Sequence, residues 1–269
     1  MSRDTGMLRL FAFWILLAGA LLAGCAGTPP AGETREIRTA SDLTDNDRRA
    51  RVRMELAAGY FGRGQFNTAL DEVKLALVAR PDLPEAFNLR GLIYAAMNEP
   101  VLAEESFQRA LQLAPRDHDT MQNYGWFLCQ QRRFTEADAM FERALAQPQN
   151  REVARTLSAQ GVCHARAGRL RDAERTLTRA LELDTGNPVI AFNLSDVLYR
   201  LGELERARFY INRLNSNPQL VSAQTLWLAA RIENRAGNTT GATTYGRQVL
   251  ERFPKSPEAL QFERGRFDD

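Results

Sequence analysis

Histidine is nearly missing from this chain, with His118 and His164 the two among 269 residues. So few imidazoles exclude a typical zinc enzyme, and no H-E-x-x-H, C-x-x-C or carboxylate-rich loop supplies another metal set. Neither G-x-S-x-G nor a phosphate-binding glycine loop occurs. Charge of one sign is also lacking: 35 basic residues face 33 acidic ones, a net of +2. That balance excludes a strong pull toward nucleic acid. The densest basic group, Arg48, Arg49, Arg51 and Arg53, is bordered by Asp45, Asp47 and Glu55 and reads as a solvated first helical turn. The main apolar run, from Leu10 to Gly24, falls short of the roughly 20 residues that a membrane span needs. These absences predict no enzyme, no cofactor, no metal, no nucleic-acid partner and no small-molecule substrate.

What the chain does have is a period. Ala69, Ala103 and Ala137 recur every 34 residues, and Ala173, Ala207 and Ala242 continue the series with slight slippage. Four residues beyond each stand Val73, Phe107, Phe141, Leu177, Ile211 and Gly246. Small-then-large at this spacing lies on one helix face. Glycine at 64, 168, 202 and 237 marks the turn between two helices of a unit, where a left-handed cap is needed. Asn98 suits the same role in the second unit, whereas Gln131-Arg132-Arg133 offers no such residue in the third. Prolines at 81, 115, 148, 218 and 254 close most units. The period and pattern are those of a tetratricopeptide repeat. The predicted fold is all-α, a right-handed superhelix (α-solenoid) of about six repeats over residues 48–256, with a capping helix and tail over 257–269. The sixth repeat is the weakest match, because Gly246 replaces the large residue and Glu233 stands where an aromatic belongs.

Such arrays hold other proteins on their concave side. Counting Ala50, Pro84, His118, Ala154, Pro188 and Ala223 as first positions puts the second, fifth, ninth and twelfth residues of each first helix on that side. The large apolar residues there are Met54, Phe61, Leu92, Trp126, Cys129, Val162, Phe192, Tyr199 and Trp227. Solvent-facing seams are ordinarily charged, so this row predicts a groove for a peptide or helix. Asn88, Asn123 and Asn193 interleave with it and offer amides to an extended backbone. The expected partner-binding set is Met54, Phe61, Asn88, Leu92, Asn123, Trp126, Phe192 and Tyr199. Asn123 and Arg155 match two places of the clamp by which chaperone-type repeats grip carboxylates, but Asn88, Leu92 and Ala159 do not complete it. Cys129 and Cys163 fall at non-equivalent places in adjacent repeats, and helix separations of about 8–10 Å argue against a disulfide. Two free thiols are therefore expected.

The N-terminus reads as a secretory signal over residues 1–24, with Arg3 and Arg9 flanking the start of its apolar run. It ends in Leu22-Ala23-Gly24-Cys25, which resembles the bacterial lipobox and implies a lipid on Cys25. Ala26, in place of an aspartate, favours sorting to the outer membrane. Residues 25–47, rich in Thr, Pro, Gly and charge, are expected to form a flexible tether.

Lipobox, tether and six repeats together resemble the PilF/PilW family of type IV pilus biogenesis and stability lipoproteins. The resemblance rests further on Asn123-Tyr124-Gly125-Trp126-Phe127-Leu128, Ala207-Arg208-Phe209-Tyr210, Tyr245-Gly246 and Phe253-Pro254-Lys255-Ser256-Pro257. It implies a pilotin: a lipid-anchored protein of the outer membrane's periplasmic face that binds the pilus secretin and promotes its localisation and multimerisation. A general periplasmic adaptor, for cell-wall hydrolases or outer-membrane protein assembly, shares the same anchor and repeats.

Overall fold

A computed structural model describes residues 44–267. Cys25, the signal segment and most of the tether lie outside the described residues. Among those described, thirteen helices follow one another and no strand occurs. Six antiparallel pairs form the repeats: α1 (Asp45–Gly62) with α2 (Phe66–Ala79), α3 (Pro84–Ala96) with α4 (Pro100–Leu113), and α5 (His118–Gln130) with α6 (Phe134–Leu145). The series continues with α7 (Val153–Arg166) and α8 (Leu170–Leu183), α9 (Pro188–Leu201) and α10 (Leu204–Asn215), then α11 (Ala223–Arg235) and α12 (Thr239–Arg252). A short α13 (Pro257–Glu263) closes the stack. The first helix begins at Asp45, so three residues assigned to the tether are helical; Asp45 and Asp47 in its first turn favour the positive helix end.

The period works through a size exchange. Position eight of the first helix is Gly91, Gly125 or Gly161 wherever the second helix contributes Phe107, Phe141 or Leu177. A Cβ on those glycines would lie 2.8, 3.1 and 2.6 Å from the facing side chain. In the first repeat Ala57 faces the smaller Val73, and in the fifth Ser195 occupies the place and donates its hydroxyl to the Ala207 carbonyl at 2.9 Å. The sixth repeat inverts the exchange: Gly246 is the small partner, and Phe262 from α13 fills the space, so close that a Cβ would clash at 2.1 Å. Gly246 is thus the socket of the terminal helix.

Four turn glycines take the left-handed conformation expected of them, and Asn98 does so at φ 60°. In the third turn Arg132 takes it too, at φ 62°. Its amide donates to the Cys129 carbonyl at 3.1 Å, so closing the helix compels a conformation that its Cβ disfavours. Arg132→Gly is expected to raise stability by about 0.5–1 kcal/mol, read as a higher urea midpoint at unchanged slope. A lower midpoint would show that the arginine side chain contributes more than its backbone costs.

Cys129 and Cys163 are joined in a disulfide, with Cα atoms 5.8 Å apart, which overturns the expectation of free thiols. A separation of 8–10 Å applies to helix axes, whereas each Cα stands about 2.3 Å off its axis, so facing residues approach far closer. Position twelve of one first helix and position ten of the next meet across that seam. Both cysteines are buried accordingly.

Candidate functional site

Neighbouring repeats are tied to one another by polar links through the fifth residue of a second helix, Glu104 on α4, Asp138 on α6 and Arg208 on α10. Glu104 on α4 accepts from Tyr124 Oη and from Arg133 Nη1, both at 2.7 Å, across to the third repeat. The Arg133 guanidinium holds the Glu104 carboxyl below its usual range, while burial and then that carboxylate push Tyr124 up to about 12. Asp138 on α6 repeats the arrangement with Arg169 at 2.6 Å and His164 Nε2 at 3.1 Å. The other His164 nitrogen lies 3.4 Å from Thr176 Oγ1, so this histidine is a buried structural group. Glu233 belongs to the same series: it accepts from Arg208 Nε at 2.6 Å and from Asn238 Nδ2 at 2.7 Å. Burial alone would raise the Glu233 carboxyl, but those two donors outweigh it and hold it low. The residue out of place in the consensus is a satisfied buried partner of the fifth repeat.

The concave row lies on the first helices that these links hold in register. At its centre is a trough of about 860 Å³ lined by Trp126, Arg155, Val162, Leu183, Ile190 and Asn193, among others. The arginine on its wall is positioned from below. In the orientation that satisfies both ends, the buried Gln122 amide donates to Thr156 Oγ1 at 2.8 Å and accepts from Arg155 Nε at 3.0 Å. Arg155 Nη1 also reaches Glu152 at 3.0 Å. Trp126 is half-buried, and the Arg166 guanidinium lies 4.8 Å from its ring centre. Leu183 and Val189 remain largely exposed at the rim, 57% and 63%. A partly desolvated tryptophan, fixed guanidinium groups and an apolar rim suit a peptide with both apolar and polar contacts.

Not all of the anticipated residues meet there. Met54 and Phe61 pack in the first repeat's cluster, Phe61 with its ring 5.8 Å from Phe66. Leu92 lies against the core of the second and third repeats. Asn88 and Asn123 face each other across those repeats, the Asn123 amide donating to Asn88 Oδ1 at 3.2 Å, so each keeps only part of its amide for a ligand. Phe192 lines a separate hollow toward the sixth repeat. Tyr199 is not on the open surface: it is 5% exposed, with Arg231 and Arg235 guanidinium groups 4.7 and 5.3 Å from its ring centre. Cys129 and Trp227, from the same row, are also buried. The cause is shared for Cys129 and Tyr199, since position twelve points at the next repeat's first helix rather than into the groove. Arg155 and Ile190 complete the trough and were not in the anticipated set; a basic residue on the second position of a first helix was the available signal.

The chain is similar to known proteins over most of its length. Three models of the tetratricopeptide repeat match residues 84–117, 117–186 and 164–224. The type IV pilus assembly protein PilF of Pseudomonas aeruginosa is 27% identical over 246 residues, 90% of this chain and 95% of its own length. The crystal structure of PilW, a widely conserved type IV pilus biogenesis factor, superposes with a TM-score of 0.74 at 29% identity, covering 79% of this chain and 97% of PilW. A structure of Pseudomonas aeruginosa PilF gives 0.70 at 25% identity, over 82% of this chain and all of that one.

Proposed function

As a tetratricopeptide-repeat homologue of the type IV pilus biogenesis proteins PilF and PilW, this chain, we propose, is a pilotin. Its lipid, on Cys25, anchors it to the periplasmic face of the outer membrane, and its concave surface holds a segment of the pilus secretin. The observation that carries the reading is the trough around Trp126, a peptide-sized surface in a chain whose similarity to PilF spans nine-tenths of its length. No bond is made or broken. Binding shields apolar surface of the secretin subunit during transit, and two or more acyl chains make release from the membrane slow.

The test is the state of the secretin in fractionated membranes from cells carrying the intact gene, Cys25→Ala or Trp126→Ala. Cys25→Ala is expected to abolish outer-membrane recovery of detergent-resistant multimers. Trp126→Ala is expected to weaken secretin binding about 30-fold, a loss on the scale of a central aromatic anchor, with the helical signal unchanged. Secretin multimers unaffected by deletion of the whole gene would move the reading to a periplasmic adaptor with another partner. Unchanged affinity in a folded Trp126→Ala protein would move the contact elsewhere on the row.

A further inference from the structure

The far end of the concave surface already carries a peptide, and it is the chain's own. Past α13 the backbone reverses at Gly265, φ 64°, with the Gly265 amide donating to the Phe262 carbonyl at 2.9 Å. The reversal lays Phe267 on Trp227, ring centres 5.2 Å apart and planes 26° from parallel. Phe262 meets Phe267 edge-on at 6.1 Å. Arg231 Nε donates to the Phe267 backbone carbonyl at 2.9 Å. That arginine is itself held against the Tyr199 ring, so the donor is fixed before anything binds.

This contact uses the means by which grooves take extended peptides: an aromatic side chain on an aromatic floor, and a main-chain carbonyl on a fixed donor. Of the tail's other described residues, Arg264, Gly265 and Arg266 are exposed and add little. Capping of the stack is accomplished before the tail begins, by Phe262 against Gly246 and by buried Ala259. Beside Trp227 a hollow of about 190 Å³ continues along α9 and α11, lined by Phe192, Asp196 and Arg231.

We propose that Trp227, Arg231 and Phe192 form a second docking site, for an extended peptide bearing an aromatic side chain, and that Phe267 occupies it as a tethered competitor. A ligand must displace the tail, so its apparent affinity is reduced by the fraction of molecules in which the tail is bound.

The test uses protein with Trp14→Phe and Trp126→Phe, which leaves Trp227 as the reporting tryptophan. The probe is a synthetic peptide of residues 263–267, acetylated and amidated. Phe267→Ala is expected to make Trp227 more open to acrylamide quenching, and the peptide to restore protection, binding this variant about tenfold more tightly than the parent. Adding Arg231→Met is expected to weaken that binding at least about threefold, the loss of one hydrogen bond. Gly265→Val, which strains the reversal while keeping Phe267, is expected to reproduce the opening, which separates release of the tail from any disturbance of the sixth repeat by Phe267→Ala. Equal binding to parent and open variants, or no binding to either variant, overturns the proposal and leaves Phe267 a structural cap. No pilus protein enters the assay, so its outcome is independent of the secretin reading.

Discussion

Replacing Cys129 and Cys163 together by alanine is expected to lower stability by about 3–4 kcal/mol, the chain-entropy value for a cross-link closing a loop of about 34 residues. The bond joins α5 to α7, and with them the two walls of the central trough: Trp126 lies one turn before Cys129, and Val162 directly precedes Cys163. Its loss therefore loosens the third and fourth repeats relative to each other as well as widening the unfolded ensemble. In an array whose stability is a sum of repeats and their interfaces, weakening a central interface also divides the molecule into halves that unfold separately. The measurement is urea unfolding of the oxidised protein, the same protein with dithiothreitol, and the double variant. The last two are expected to coincide at a lower midpoint, with a broader or two-step transition. Coincidence of all three would mean that the cysteines are unbonded in solution. A bond at this place also fits an oxidising compartment, in keeping with the proposed periplasmic site.

Phe107→Ala is expected to cost about 3–5 kcal/mol, the range for deleting a fully buried aromatic ring. The ring touches two repeats at once. It presses on Gly91 within its own unit and lies 5.5 and 5.6 Å from Tyr124 and Phe127 of the next. The pair with Gly91 makes the prediction sharper. Gly91→Ala alone places a Cβ 2.8 Å from the ring, and overpacking costs about 1–3 kcal/mol, more than the helix propensity gained. Combined with Phe107→Leu, the same change is expected to be harmless or favourable, since the first repeat uses that smaller exchange as Ala57 with Val73. A double-mutant cycle in urea should return a favourable coupling of about 1–2 kcal/mol. Additivity would show that the size exchange does not set the spacing of the two helices.

The period of the alanines sufficed for helix pairs, turns and stacking order, because each repeat is a local unit whose contacts recur at fixed separations. Gly64, Gly168, Gly202 and Gly237 were legible for the same reason, each being a local backbone demand. Arg132 was not, since the closing hydrogen bonds of the helix, and not the residue, impose its conformation. Gly246 and Glu233 looked like decay of the motif. Their partners, Phe262 and Arg208, belong to other helices, and a pattern aligned within one repeat does not contain them.

The concave row divides along the same line. Its members were found from helical spacing alone, and Trp126, Leu92 and Phe192 keep partly open faces. Whether a given member faces a ligand or its neighbour depends on how far each repeat is rotated against the next. That angle is set by packing between first helices, and it turned Cys129 toward Cys163 and Tyr199 beneath two arginines. By itself, then, the amino-acid order determined the fold class and the number of units, both consequences of short-range periodicity. The disulfide, the fixed Arg155, the seating of Phe262 and the return of Phe267 onto Trp227 were decided only by tertiary structure. Each joins residues whose separation in space follows from the superhelix as a whole, and no local spacing encodes it.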